Sequence, residues 1–162
     1  MNAGRLLIIL TFGIAIAGAA GAWLHRYYQT DEVQRRFGPT TLGLIMRAPQ
    51  VIAHVRIGEE EQSQKDVTRA PGMLNVRHML ASDFSYGDRQ EMMLPTQWSL
   101  EFIDGDRRVR FGFHHDCKAA IDETSGSTAT VVDEAASNIR SFFAEQFPEE
   151  SKQMDRFWKV DK

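Results

Sequence analysis

The chain has 162 residues, with 19 Lys or Arg against 22 Asp or Glu and a formal charge of −3 at pH 7. That balance argues against a nucleic-acid surface, which needs clustered Lys and Arg. One cysteine excludes an internal disulfide and leaves the redox compartment open.

From Leu6 to Leu24 the sequence runs LLIILTFGIAIAGAAGAWL without a charged side chain, with Arg5 before it and His25-Arg26-Tyr27-Tyr28 after it. A hydrocarbon core of roughly 30 Å needs about 20 apolar residues in a helix. A buried soluble helix would normally carry a polar face, and this run has none. Trp23, Tyr27 and Tyr28 stand where amphipathic rings settle at the headgroups. Residues 1–28 are therefore expected to be a membrane anchor or signal segment.

Met1–Arg5, the run Leu6–Ala17 and the small-residue triplets Ala17-Gly18-Ala19 and Ala20-Gly21-Ala22 also fit a cleavable secretory signal. Continuation of the run through Trp23 and Leu24 favours retention over removal. Gly13, Ala17 and Gly21 recur at four-residue spacing, the pattern of a small-residue helix contact, although alanine and glycine are also common fillers. Arg26, Arg35 and Arg36 after the segment favour a cytoplasmic domain. The signal-like start favours export, and export is the reading taken. Single-pass attachment is expected, with secretion after cleavage as the alternative.

Residues 29–48 read as a short helical linker. Asp31 is placed to cap a helix through Phe37 that Gly38-Pro39 ends, and Thr40–Arg47 adds another turn or two. The globular domain spans 49–148. VIAHVRI at 51–57 alternates like a half-buried strand. EEEQSQKD at 59–66 reads as an exposed loop that lacks the spaced oxygens of a calcium site. Leu74–Ser82 has helical spacing, and residues 87–95 read as a loop closed by Pro95.

The strongest signal is a hairpin. Trp98, Leu100 and Phe102 alternate with Ser99, Glu101 and Ile103, and Val109, Phe111 and Phe113 with Arg108, Arg110 and Gly112, around the turn Asp104-Gly105-Asp106-Arg107. One register pairs Phe102 with Val109, Leu100 with Phe111 and Trp98 with Phe113, and sets Glu101 opposite Arg110. A slip by two residues keeps every side chain on its face, so the pattern leaves that choice open. The second strand is expected to run on toward Cys117, and Lys118–Asp122 to extend or return it. Thr124–Ser127 then turns, and Ala129–Val132 makes a short last strand. Asp133 is placed to cap a helix with Ala136, Ile139, Phe142, Phe143 and Phe147 on one face, stopped by Pro148. Residues 149–162 read as a tail whose Phe157 and Trp158 either pack back or meet a partner or the headgroups. The expected fold class is α+β: an N-terminal transmembrane or signal helix, then a small antiparallel sheet with helices packed on one face.

His114-His115-Asp116-Cys117 is the one cluster of reactive residue types. Imidazole and thiolate are zinc ligands, usually three or four to a site. On a continuing strand, His115 and Cys117 share one face while His114 and Asp116 share the other. Alternation thus splits the cluster, and further ligands have to come from His54 or His78. No catalytic residue, cofactor or metal ligand is assigned; His114, His115 and Cys117 are the metal candidates. A Cys–His nucleophile is opposed by the large apolar neighbours, which raise a thiol pKa. The sequence carries no nucleophile elbow, P-loop, zincin helix or Cys-x-x-Cys pair.

The strand VIAHVRI, the hairpin WSLEFIDGDRRVRFGFHHDC and the helix ending in FFAEQFP follow one another after an apolar start. This layout resembles a loose group of uncharacterised bacterial envelope or secreted proteins. The resemblance covers about the last hundred residues and implies a compartment and a fold, without an activity. The resulting expectation is a membrane-anchored or exported bacterial protein, a non-catalytic interaction or structural module of the cell envelope. Its partners would be the lipid bilayer through residues 6–24 and an envelope protein, with no nucleic acid. The alternative is a small metal-dependent or thiol enzyme using His114–Cys117.

Overall fold

The computed structural model describes residues 10–21, 30–58, 60–87 and 96–160. Residues 10–21 form helix α1. Among the described residues no helix is long and apolar enough to cross a membrane. Positions 6–9 and 22–24 of the apolar run lie outside the described residues, as does most of the loop expected over 87–95.

Helices α2 (Asp31–Phe37) and α3 (Pro39–Arg47) lead into strands β1 (Gln50–Ile57) and β2 (Glu60–Asp66). Helix α4 (Met73–Leu80) and a short 3-10 turn at Asp83–Ser85 follow. Then come β3 (Trp98–Asp104), β4 (Arg107–Phe113), β5 (Ala119–Asp122), β6 (Ser127–Thr130), α5 (Asp133–Gln146) and α6 (Pro148–Val160). The strands form one antiparallel six-stranded sheet in the order β2-β1-β3-β4-β5-β6. This is an α+β fold.

The hairpin takes the register in which Phe102 faces Val109, Leu100 faces Phe111, Trp98 faces Phe113 and Glu101 faces Arg110. Its inner side chains, with Val51, Ala53 and Val55 of β1, are fully or almost fully buried. Helices meet this face through rings. Phe37 of α2 lies edge-on to Phe111 at 4.8 Å, and Phe143 of α5 stacks on Trp98 at 5.0 Å. From α4, the Arg77 guanidinium sits 5.5 Å from the Phe102 ring centroid.

Four expectations are corrected. Residues 60–66 are a strand, because their backbone pairs along β1 from Ile52↔Asp66 to Ile57↔Glu60. A charged outer strand is a normal way to blunt a sheet edge, so its polarity disguised it. Strand β4 stops at Phe113, and β5 returns beside it through Phe111↔Asp122 and Phe113↔Ala120. Residues 30–48 of the expected helical linker are helical as α2 and α3, but they join the core, where Val33, Phe37, Leu44 and Ile45 are buried. Residues 148–160 are helical and bury Met154, since Pro148 suits a first helical position as well as it ends the preceding helix.

The cap of α2 is also tertiary. Thr30, the N-cap residue, makes no side-chain cap bond, and Asp31, already the first helical residue, pairs with Arg35. Instead the Asp83 carboxylate accepts from the amides of Val33 at 2.7 Å and Glu32 at 3.1 Å, reaching across about fifty residues of chain. Replacing a capping side chain by alanine costs about 1 kcal/mol. Asp83→Ala should lower the urea midpoint accordingly, and Asp83→Asn should recover most of the loss. Equal losses in the two variants would mean that Asp83 acts by charge and not as an acceptor.

Candidate functional site

The cluster His114–Cys117 occupies the reversal between β4 and β5. Two backbone bonds close it: the Cys117 amide donates to the His114 carbonyl at 2.9 Å, and the His114 amide donates to the Ala119 carbonyl at 3.1 Å. Cys117 has φ 60°, the one positive value outside glycine among the described residues. A left-handed residue reverses the chain sharply, and here it turns the thiol inward while the three residues before it stay half-buried. The alternation expected for a continuing strand is therefore absent. The turn separates Cys117 from its neighbours and brings His114, His115 and Asp116 together.

One ligand atom from each of those three residues lies within 4.8 Å of the others. His114 Nδ1 is 3.4 Å from Asp116 Oδ1, and the same oxygen accepts from the Lys118 amide at 3.0 Å. Burial raises the Asp116 pKa, but the Lys118 amide and the neighbouring His114 and His115 outweigh it and hold the carboxyl below its ordinary value. Asp116 is thus anionic at neutral pH. The backbone beneath is anchored as well, because Trp98 Nε1 donates to the His115 carbonyl at 3.2 Å. Trp158, from the α6 stretch read as a tail, packs back: its ring stacks on His115 at 4.3 Å and 11°.

The other candidates lie elsewhere. Cys117 is fully buried, and burial, reinforced by the Asp116 charge, pushes its thiol well above the ordinary range. His78 is exposed on α4. His54 is buried on the opposite face of the sheet, with Nε2 3.2 Å from Glu101 Oε2 and 3.0 Å from Arg110 Nη2. Nearby, Thr96 donates a short hydrogen bond to Glu123 over Gly112. Sequence reasoning saw the Glu101–Arg110 pair but missed His54 beside it, which depends on β1 lying next to β3.

An open groove of about 580 Å³ runs along Gln50, Lys65, Asp66, Thr68, Arg69 and Gln146. Its charges are mostly engaged: Asp66 accepts from the Thr68 amide, and Lys65 donates to the Gln146 carbonyl. No protein-family model matches this chain, and no curated protein or solved structure matches it either.

The thiol supplies a test of this geometry. An unfolded chain loses the cysteine proton near pH 8.5, whereas the native thiol holds it to higher pH. This contribution to stability is therefore complete below about pH 8.5 and declines above it. Native protein at pH 8 should resist iodoacetamide and react within minutes in denaturant. Cys117→Ala should lose less stability than the parent between pH 8 and pH 10. Rapid native alkylation would show that the reversal leaves the thiol open.

Proposed function

We propose that this chain is a membrane-tethered, non-catalytic interaction module of the cell envelope. The apolar segment 6–24 holds it to the bilayer, and its α+β domain is exported to meet a protein partner. The observation that carries this reading is the exposure of α1. Leu10, Phe12, Ile14 and Ile16 are 60%, 69%, 67% and 62% exposed, on a stretch with no charged residue. A short helix is marginal in water on its own, and one that is apolar on every side calls for a lipid environment.

The burial of Cys117 supports a non-catalytic role by removing the chain's only thiol from reach. Leu74, Phe84 and Phe157 are large apolar side chains left at the surface and are available to a protein partner.

Flotation of the full chain with phospholipid vesicles tests the tether. The parent should float, and Ile14→Asp combined with Ile16→Asp should reduce the floating fraction at least ten-fold, since each charge near a bilayer centre costs about 3 kcal/mol. A parent that stays with the soluble fraction, or a variant that floats equally well, overturns the reading.

A further inference from the structure

We propose that the β4–β5 reversal is a binding site for one divalent transition ion of the zinc class, ligated by His114, His115 and Asp116. This goes beyond the membrane tether and does not depend on it.

The donor set is two imidazole nitrogens and one carboxylate oxygen. Imidazole suits zinc, nickel and copper, while magnesium and calcium prefer shells made wholly of oxygen. A tetrahedral zinc with bonds of about 2.0–2.1 Å spaces its donors about 3.3 Å apart. His114 Nδ1 and Asp116 Oδ1 already stand at 3.4 Å. The widest separation in the group, up to 4.8 Å, closes by rotation of side chains. His114 and Asp116 have that freedom, with 38% and 37% of their side chains exposed.

The surroundings support the ligands. Metal-bound carboxylates and imidazoles are usually oriented by a second set of contacts. Here the Lys118 amide orients Asp116, the Trp158 ring orients His115, and Trp98 pins the His115 backbone. The nearest long cation on the turn, Lys118, is engaged with Asp133 at 2.8 Å. Three protein ligands leave a tetrahedral ion one position for water or for a donor from another molecule.

The test uses the full chain, without an affinity tag, in detergent micelles after treatment with a chelator. Calorimetric titration with Zn²⁺ should give one ion per chain, and Co²⁺ should develop visible absorption of a low-coordinate centre. His114→Ala, His115→Ala and Asp116→Asn should each weaken Zn²⁺ binding at least ten-fold. Asp116→Asn keeps an oxygen to accept from the Lys118 amide, so its circular dichroism should match the parent. His78→Ala, on α4, should bind as the parent does. Binding of less than half an ion per chain, or equal affinity in the parent, His115→Ala and Asp116→Asn, overturns the assignment.

Discussion

Aromatic packing at the centre of the sheet positions nearly everything else in the domain. Phe102, Phe111, Phe113 and Phe143 are among its largest fully buried side chains, and burying each is worth about 2–3 kcal/mol. Three of them stand on the β3–β4 hairpin, and the fourth arrives from α5. Phe37 sits against Phe111 and fixes where α2 lies, while the stack of Phe143 on Trp98 fixes α5. Trp98 also has a polar edge, and its indole N–H reaches the His115 carbonyl. One side chain thereby links the core to the surface turn.

That turn is the place where packing and polar chemistry meet. Cys117 fills the core from beneath, and its left-handed backbone returns the chain into β5. The three preceding residues are left half-buried with Trp158 beside them. A cysteine close to two histidines invites a reading as one reactive unit, but the fold buries the thiol in the core and leaves the imidazoles half-buried beside Trp158. Across the sheet, His54, Glu101 and Arg110 form a second polar group that the β1–β3 pairing assembles. Its members are already close partners of one another, so they serve the sheet before they serve a ligand.

The long-range devices share a logic. Asp83 caps α2, Arg77 donates to the carbonyls of Ile45 and Ala48 near the end of α3, and Thr41 donates to the fully buried Asp122. Each satisfies polar groups that would otherwise cost free energy once removed from water. Together they tie the early helices to elements far along the chain, which explains why residues 30–48 behave as part of the domain.

Local pattern by itself determined the hairpin, its turn, the apolar face of α5 and the apolar character of residues 6–24. Each is a periodicity or a composition contained within a few adjacent residues. It also narrowed the hairpin register to alternatives two residues apart, because only a shift by an even number keeps the Trp98 and Val109 series facing inward. The strand at 60–66 was illegible because edge pairing asks nothing of side chains beyond tolerance, and EEEQSQKD looks the same in a loop. The cap on α2 and the ring on His115 were illegible for another reason: their partners are distant in sequence. The end of β4 at Phe113 and the left-handed Cys117 were decided by tertiary structure as well. A non-glycine residue takes that backbone only when its surroundings compensate, and here burial of the thiol and pairing of β5 with β4 do so. The sequence supplied His114, His115 and Asp116 as neighbours, and only the fold turned them toward one point.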